Sequence, residues 1–242
     1  RSTLFPYTTL FRSERCATRQ LFHCFGCSVG GDVFEFIKLA ERVSFPEAVR
    51  IVAEKCGVPV PSDAFGSDSR AEEKKQLVEL HEKAAAFFQK ALGSSEAAPA
   101  REVLEKRQVK ADFIRRFQLG YAPAAGLFNA LRPGDQDPST TGLFGKSESG
   151  EVYDRFRRRL MFPIWNDRGK TIGFGGRALG DGQPKYLNSP GSLLYSKSSV
   201  LYALHLAREA VRKAGRIVVV EGYFDCLTLH QNGIENVVAS QR

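Results

Sequence analysis

No apolar run in the 242 residues approaches the roughly twenty needed to cross a bilayer, so a membrane-spanning helix is not expected. Cysteine is sparse. Five are present and only two stand close together, which is too few for a disulfide framework in a chain this long. A reducing, cytoplasmic setting is expected. The first thirteen residues lack both the apolar core of a signal peptide and a helical period. They carry near-duplicate halves, Ser2-Thr-Leu-Phe and Thr8-Thr-Leu-Phe-Arg-Ser, and read as a non-native, adapter-like head. What is present is ordinary for a globular chain: 43% apolar and 26% charged residues. The formal net charge is +8, and it stays basic without Arg1 and Arg12. That balance favours a polyanionic partner. The length allows one large domain or two smaller ones.

The chain turns on Arg216-Ile-Val-Val-Val-Glu221-Gly-Tyr-Phe-Asp225. Ile217 to Val220 is too short for a helix and rich in β-branched residues, so it predicts a buried strand of an α/β sheet. Glu221 ends that strand, Gly222 turns the backbone, and Asp225 opens a helix that runs to Asn232 and stops at Gly233. A second apolar run, Asn236 to Ser240, completes β-α-β. Ligands of open α/β sheets bind beyond the carboxyl ends of the strands. The spacing therefore puts two carboxylates on one rim, a hard-oxygen set suited to Mg²⁺. The competing reading makes Asp225 a helix cap and Glu221 a solvated turn residue. Cys226 and His230 stand four apart on the same helix. That is a ligand spacing, but the reading taken puts Cys226 in the core and His230 on the surface.

Nearer the start, His23-Cys24-Phe-Gly-Cys27 is a tight turn that points two thiolates at one tetrahedral ion. A redox Cys-x-x-Cys is the alternative, but that motif opens a helix, and here Gly30-Gly31 intervenes. One pair is half a zinc site unless Cys16 or His23 supplies a further ligand; His23 is adjacent to Cys24 and a poor partner for the same ion, and the spacing does not support Cys16. Asp32 to Arg42 predicts an amphipathic helix, and Ser44-Phe-Pro-Glu47 is a capping box for a second helix ending at Gly57. Phe34, Phe36, Ile37 and Val49 are core candidates. Residues 61–70 have linker composition. A helix follows from about Arg70 to Leu92 with Leu77, Leu80, Ala84, Phe87 and Ala91 on one stripe. Shorter helices are expected near Pro99–Arg107 and Ala111–Phe117, and a short strand near Gly142–Phe144.

The most basic stretch is Tyr153-Asp-Arg155-Phe-Arg157-Arg158-Arg159, leading into apolar residues up to Trp165. If extended, it puts Arg155, Arg157 and Arg159 on one face at about 7 Å intervals, suited to successive phosphates. The competing reading is a solvated charge run. Asn166 to Gly169 is a hairpin turn, and Lys170 to Arg177 the return strand. Its glycines 173, 175 and 176 leave room for a ligand backbone, although their spacing is not a dinucleotide fingerprint. Lys185 and Lys197 add cations, and a helix capped by Ser198 or Ser199 is expected to run to about Lys213.

Read together, these phrases resemble the bacterial DnaG-type primases. The matching segments are His23-Cys-Phe-Gly-Cys27, Gly30-Gly-Asp-Val-Phe-Glu-Phe36, Phe117-Gln-Leu-Gly-Tyr-Ala-Pro123, Asp154-Arg-Phe156, Met161-Phe-Pro-Ile164, Gly173-Phe-Gly-Gly-Arg177, Pro184-Lys-Tyr-Leu-Asn-Ser189 and Glu221-Gly-Tyr-Phe-Asp225. The last resembles the start of a Toprim domain. The resemblance implies an α+β or α/β multidomain chain: a partial zinc-ribbon module with helices, then a mixed α/β core leading into a truncated, Rossmann-like Toprim sheet. Its parts would be a head at 1–13, a partial zinc-binding domain at 14–61, linker and helix at 62–94, the N-terminal part of the catalytic core at 95–214 and the start of Toprim at 215–242.

The resemblance implies DNA-directed synthesis of short RNA primers, with Glu221 and Asp225 as catalytic, Mg²⁺- or Mn²⁺-holding residues. Cys24 and Cys27 would be half of a Zn²⁺ site. Arg155, Arg157, Arg177, Lys185 and Lys197 would line the groove for template and nucleotide. Implied partners are single-stranded DNA, ribonucleoside triphosphates, an RNA primer and a replicative helicase met through a C-terminal domain outside this chain. The family's later D-x-D carboxylates and its upstream Cys-x-x-His pair are absent from the sequence, so the fragment is expected to be inactive alone and to hold zinc weakly. Ser28 stands where the family commonly has glycine. The rival readings are another Toprim enzyme, a recombination mediator or nuclease, and a DNA-binding fragment without catalysis.

Overall fold

Ser44 starts a helix for a purely local reason. Its hydroxyl accepts the Glu47 amide at 3.4 Å while the Glu47 carboxylate accepts the Ser44 amide at 2.9 Å, the reciprocal box the sequence predicts. In the computed structural model, which describes residues 13–16, 20–26, 28–41, 43–61, 69–134 and 137–240, this helix belongs to the first of two compact units. The adapter-like residues 1–12, Cys27 and most of the linker lie outside the described residues. The first unit reaches Glu73 and the second starts at Lys74.

The first unit opens with β1 (Ser13–Cys16), β2 (Leu21–Cys24) and β3 (Gly30–Gly31), antiparallel in that order. Ser28 adopts φ 58°, a left-handed conformation that glycine takes without strain. α1 (Val33–Glu41) follows, its first turn held by Asp32 accepting the Glu35 amide at 2.9 Å. α2 (Phe45–Cys56) ends on Gly57 at φ 67°. Of the four core candidates, Ile37 is buried and Phe34 and Val49 are half-buried. Phe36 is corrected: it is 52% exposed and meets Phe22 edge to face, at 5.4 Å between centroids.

The second unit is built on a four-stranded antiparallel sheet. In chain order its elements are α3 (Ser69–Leu92), α4 (Ala98–Lys106), α5 (Ala111–Arg116), β4 (Gly120–Ala122), α6 (Leu127–Leu131), β5 (Phe144–Lys146), β6 (Val152–Asp154), β7 (Arg159–Trp165), β8 (Thr171–Ala178), β9 (Tyr186–Asn188), α7 (Leu204–Ala214), β10 (Val218–Val220), α8 (Tyr223–Gln231) and β11 (Val237–Ala239). The sheet order is β4-β7-β8-β9. Alternation along β7 sends Met161 to one face and Leu160, Phe162 and Ile164 to the other.

On the first face Met161 and Phe174 share a core with Leu80, Ala84 and Phe88 of α3. The stripe differs from the expected one in its last turns: Phe88 and Leu92 are buried, whereas Phe87 and Ala91 are half-buried. The cause is tertiary. Phe88 meets the Phe174 ring edge-on at 5.2 Å, and its backbone passes so close to Gly120 that a Cβ there would lie 2.6 Å away.

On the second face Leu160, Phe162 and Ile164 share a core with Tyr202, Tyr223, Phe224, Leu227 and Ala239. β10 and β11 pair in parallel through α8, the β-α-β expected from the sequence. The strand before Glu221 is not buried, however. Ile217, Val218 and Val219 are 42, 36 and 55% exposed, because β11 is the only strand paired with β10 among the described residues. α7 also starts later than expected. Tyr202 exchanges two backbone hydrogen bonds with Ala239, at 2.9 and 3.2 Å, and Ala203 turns at φ 63°. Ser198 and Ser199 are therefore left in a 3-10 turn and cap no helix. Gly215 stops α7 at φ 61°, as expected.

Candidate active site and nucleic-acid interface

β10 ends at Val220, and Glu221 stands exposed at the bend. Gly222 is the N-cap of α8, and the helix closes when Cys226 donates its amide to the Gly222 carbonyl at 3.2 Å. Asp225, also exposed, folds back over Gly222. A Cβ at that glycine would lie 2.8 Å from Asp225 Oδ2, so the glycine makes room for the carboxylate. Both acids thus flank one strand-to-helix turn, with Tyr223 and Phe224 between them buried in the core. Two solvent-facing carboxylates are hard oxygen donors of the kind that bind Mg²⁺, which takes one or two protein carboxylates and keeps several waters. The donor set fits the ion that the family resemblance implies.

Further along α8, Cys226 and His230 do not make a ligand pair. The Cys226 thiol donates to the Val237 carbonyl at 3.6 Å and His230 Nε2 donates to the same oxygen at 2.8 Å. Burial pushes the thiol up to about 12 and pulls the imidazole below its usual range. His230 is 1% exposed, not a surface residue, because the helix lays this edge against β11 and Phe117.

The arginine row is not a row. β6 stops at Asp154, whose carboxylate caps α6 through the amides of Leu127 and Phe128, both at 2.9 Å. Arg158 then turns at φ 50°, which breaks the two-residue period. Arg157 is exposed, its guanidinium 5.3 Å from the Tyr153 centroid. Arg155 is half-buried, and its Nε has no partner. Arg159 is buried and donates to the carbonyls of Gly176, Pro184 and Gln183 at 3.1, 2.8 and 3.3 Å.

The glycines of β8 are also accounted for within the chain. A Cβ at Gly173 would press on Tyr195 and Ser189, one at Gly176 on Phe156 and Arg159, and one at Gly175 would overlap the Tyr223 phenol. They admit the protein's own side chains rather than a ligand backbone.

Arg177 is brought next to Phe224, between the two acids in sequence. It sits on β8, half-buried, with its guanidinium carbon 6.0 Å from the ring of Phe224, the residue before Asp225. Its Nε is buried without a partner. Arg107, which the sequence reading missed, stands 4.3 Å from the same ring. It follows α4, far from Phe224 in sequence, and no local signal marks it. Neither guanidinium has an ion-pair partner among the described residues. Lys185 and Lys197 are exposed. The Lys185 carbonyl is tied to the Ala178 amide at 2.9 Å, and Lys197 lies in the 3-10 turn before α7.

In the first unit Cys24 is half-buried at the end of β2, and the position of a Cβ at Gly26 is 3.7 Å from its sulfur. Cys27 lies outside the described residues. Among the described residues no three His, Cys, Asp or Glu side chains gather as a metal site. No described helix is long and apolar enough to cross a membrane.

Arginines without ion-pair partners among the described residues, on a chain of net charge +8, point to the class of proteins that handle phosphate-bearing polymers. Comparison with known proteins narrows the class. Residues 87–208 match the family model of the DNA primase catalytic core, N-terminal domain, and residues 13–67 match that of the CHC2 zinc finger. The DNA primase of Halalkalibacterium halodurans is 40% identical over 229 residues, covering 92% of this chain and 38% of the relative. A DnaG primase catalytic domain bound to ssDNA superposes with a TM-score of 0.64 at 39% identity, covering 71% of this chain and 57% of that one. The Aquifex aeolicus primase, with zinc-binding and RNA polymerase domains, superposes with a TM-score of 0.63 at 33% identity, covering 95% and 56%. The chain belongs to the DnaG primase family. It spans well under half the length of the curated primases it matches, 38% for the H. halodurans protein.

Proposed function

We propose that the protein to which this chain belongs makes short RNA primers on single-stranded DNA. The reading rests above all on Arg177 and Arg107 flanking Phe224, one residue before Asp225. In this reading the two guanidiniums, suited to triphosphate oxygens, serve the turn that carries the exposed carboxylates. In the reaction the 3′-hydroxyl oxygen of one nucleotide bonds to the α-phosphorus of the next. The α–β phosphoanhydride bond breaks, pyrophosphate leaves, and the hydroxyl proton passes to solvent.

Glu221 and Asp225 would hold Mg²⁺ or Mn²⁺ through carboxylate oxygens. When bound, the ion would make the hydroxyl a better nucleophile and offset charge on the leaving group. Arg177 and Arg107 orient the triphosphate. Arg155, Arg157, Lys185 and Lys197 supply the salt-sensitive attraction for template and nucleotide. Residues 14–61 form part of a zinc-binding module, 95–214 the N-terminal part of the catalytic core and 215–242 the start of a Toprim sheet. The setting is cytoplasmic, with a helicase as partner of the whole protein.

The test is a primer-synthesis assay with ribonucleotides and single-stranded template, in the complete protein. Glu221→Gln is expected to lower synthesis by about a hundredfold or more. Undiminished synthesis by that variant would overturn the assignment. A second reading applies to residues 1–242 by themselves. In it, this chain alone binds DNA without polymerising. Divalent-ion-dependent RNA synthesis by it would refute that.

A further inference from the structure

We infer that Tyr223 is a positioning residue: its phenol fixes the acid-bearing first turn of α8 to the edge strand that follows Lys185. Three residues on neighbouring strands face one another in register, Phe162 on β7, Gly175 on β8 and Asn188 on β9. Tyr223 lies along this rung. Its ring stacks on Phe162 at 4.9 Å and 14°, crosses the space that Gly175 leaves open, and its hydroxyl donates to Asn188 Oδ1 at 2.8 Å. Tyr202 closes the side, edge-on at 4.7 Å.

The two ends of this contact matter for the proposed chemistry. Tyr223 stands two residues after Glu221 and two before Asp225, and Asn188 stands three after Lys185. β9 is the edge of its sheet and, among the described residues, pairs with β8 alone, over three residues. The backbone of β9 is held to β8 by bonds at Lys185 and Ser189, and the Asn188 side chain adds the tie that runs from this strand to α8. Packing alone does not call for a hydroxyl. Phenylalanine would fill the same slot without the cost of taking an O–H out of water. Gly175 belongs to the same device, since any side chain there would push the phenol off the rung.

The inference rests on the proposed role of Asp225 and Glu221, and its test separates the two. Four variants are compared with the parent: Tyr223→Phe, Asn188→Leu, Asn188→Asp and Glu221→Gln. Mn²⁺ affinity is read by electron paramagnetic resonance on residues 1–242, together with thermal melting. Turnover and nucleotide KM are read in the complete protein. Tyr223→Phe is expected to melt about 2–4 °C lower, the scale of one lost hydrogen bond. It is expected to bind Mn²⁺ several-fold more weakly and to lose about tenfold in kcat, with KM changed less than about twofold, since a small misplacement of reacting groups costs rate. Asn188→Leu should behave likewise, and Asn188→Asp, which keeps an acceptor, should recover most of the loss. If Tyr223→Phe or Asn188→Leu changes melting alone, or changes nothing, the positioning role is refuted. If Glu221→Gln keeps both Mn²⁺ binding and synthesis, the underlying site reading fails instead.

Discussion

Arg159 Nη1 lies 2.8 Å from the Pro184 carbonyl oxygen, inside the bend that leads β8 into β9. The same guanidinium takes the carbonyls of Gly176 and Gln183, so one buried cation ties β8 to two carbonyls of the bend. Its pKa is drawn down by burial, and no described carboxylate pairs with it. Arg159→Met is therefore expected to cost about 2–4 kcal/mol, because it strands the Pro184 and Gln183 carbonyls. Arg157→Ala, exposed two residues away, should stay within about 0.5 kcal/mol. Urea denaturation of the two variants side by side checks the contrast. Equal losses would mean that Arg159 carries no such structural share.

What the sequence made legible was local chemistry. The Ser44–Glu47 box, the Gly57 and Gly215 stops and the hairpin turn at Asn166, whose Oδ1 accepts the amides of Arg168 and Lys170 at 2.9 Å, are set by neighbours within a few residues. So is the turn that carries Glu221 and Asp225. Phase and destination were not legible. Whether Phe87 or Phe88 faces the sheet depends on Phe174 and Gly120, far along the chain. The arginine row failed because a single left-handed residue, Arg158, resets the alternation. The β8 glycines looked like ligand space, since composition cannot say which side chain fills a gap. Arg107 reaches Phe224 from more than a hundred residues away, and period counting has no access to that.

Salt dependence separates phosphate contacts from packing. Each arginine or lysine that neutralises a phosphate of single-stranded DNA contributes about 0.7 to the slope of log affinity against log salt. Arg157→Ala and Lys185→Ala are each expected to reduce that slope by roughly this amount and to weaken binding across all sequences alike. Arg168→Ala, at the exposed tip of the β7–β8 hairpin, serves as the control and should leave it unchanged. Fluorescence anisotropy titrations over a range of salt check this. An unchanged slope for Arg157→Ala would remove it from the interface.

Acid should loosen the second unit before its carboxylates are protonated. His81 is 1% exposed, donates through Nδ1 to the Leu77 carbonyl at 2.8 Å and stacks on Phe174 at 5.9 Å. Burial pulls its pKa below the ordinary 6.5, and His205 and His230 shift the same way. A histidine depressed in the folded state binds its proton first when unfolded. Its stabilising share is thus complete above about pH 6.5 and is lost as pH falls through the folded value. Thermal melting between about pH 7.5 and 5 should show a falling midpoint, and His81→Leu should flatten part of the fall. A variant with the parent's pH slope would exclude His81 as a contributor.

Zinc gives the last prediction. A structural zinc site needs four ligands, and its binding free energy is a share of folding free energy. Cys24 and Cys27 provide two thiolates. His23, beside Cys24, is exposed and packs against the Phe25 ring at 4.9 Å between centroids. The described part of this unit has other sources of order: the Ser44 box, the Ile37, Ala48 and Ala53 contacts and the β1–β2–β3 pairing. Half a ligand set on a unit that folds by other means should hold metal loosely. After dialysis against a chelator, mass spectrometry of the 242-residue chain is expected to find well under one zinc per molecule. Cys24→Ser should then leave the melting midpoint within about 1 °C of the parent, with or without added zinc. One tightly retained zinc, lost together with several degrees of stability in Cys24→Ser, would mean that the chain completes the site with residues outside those described.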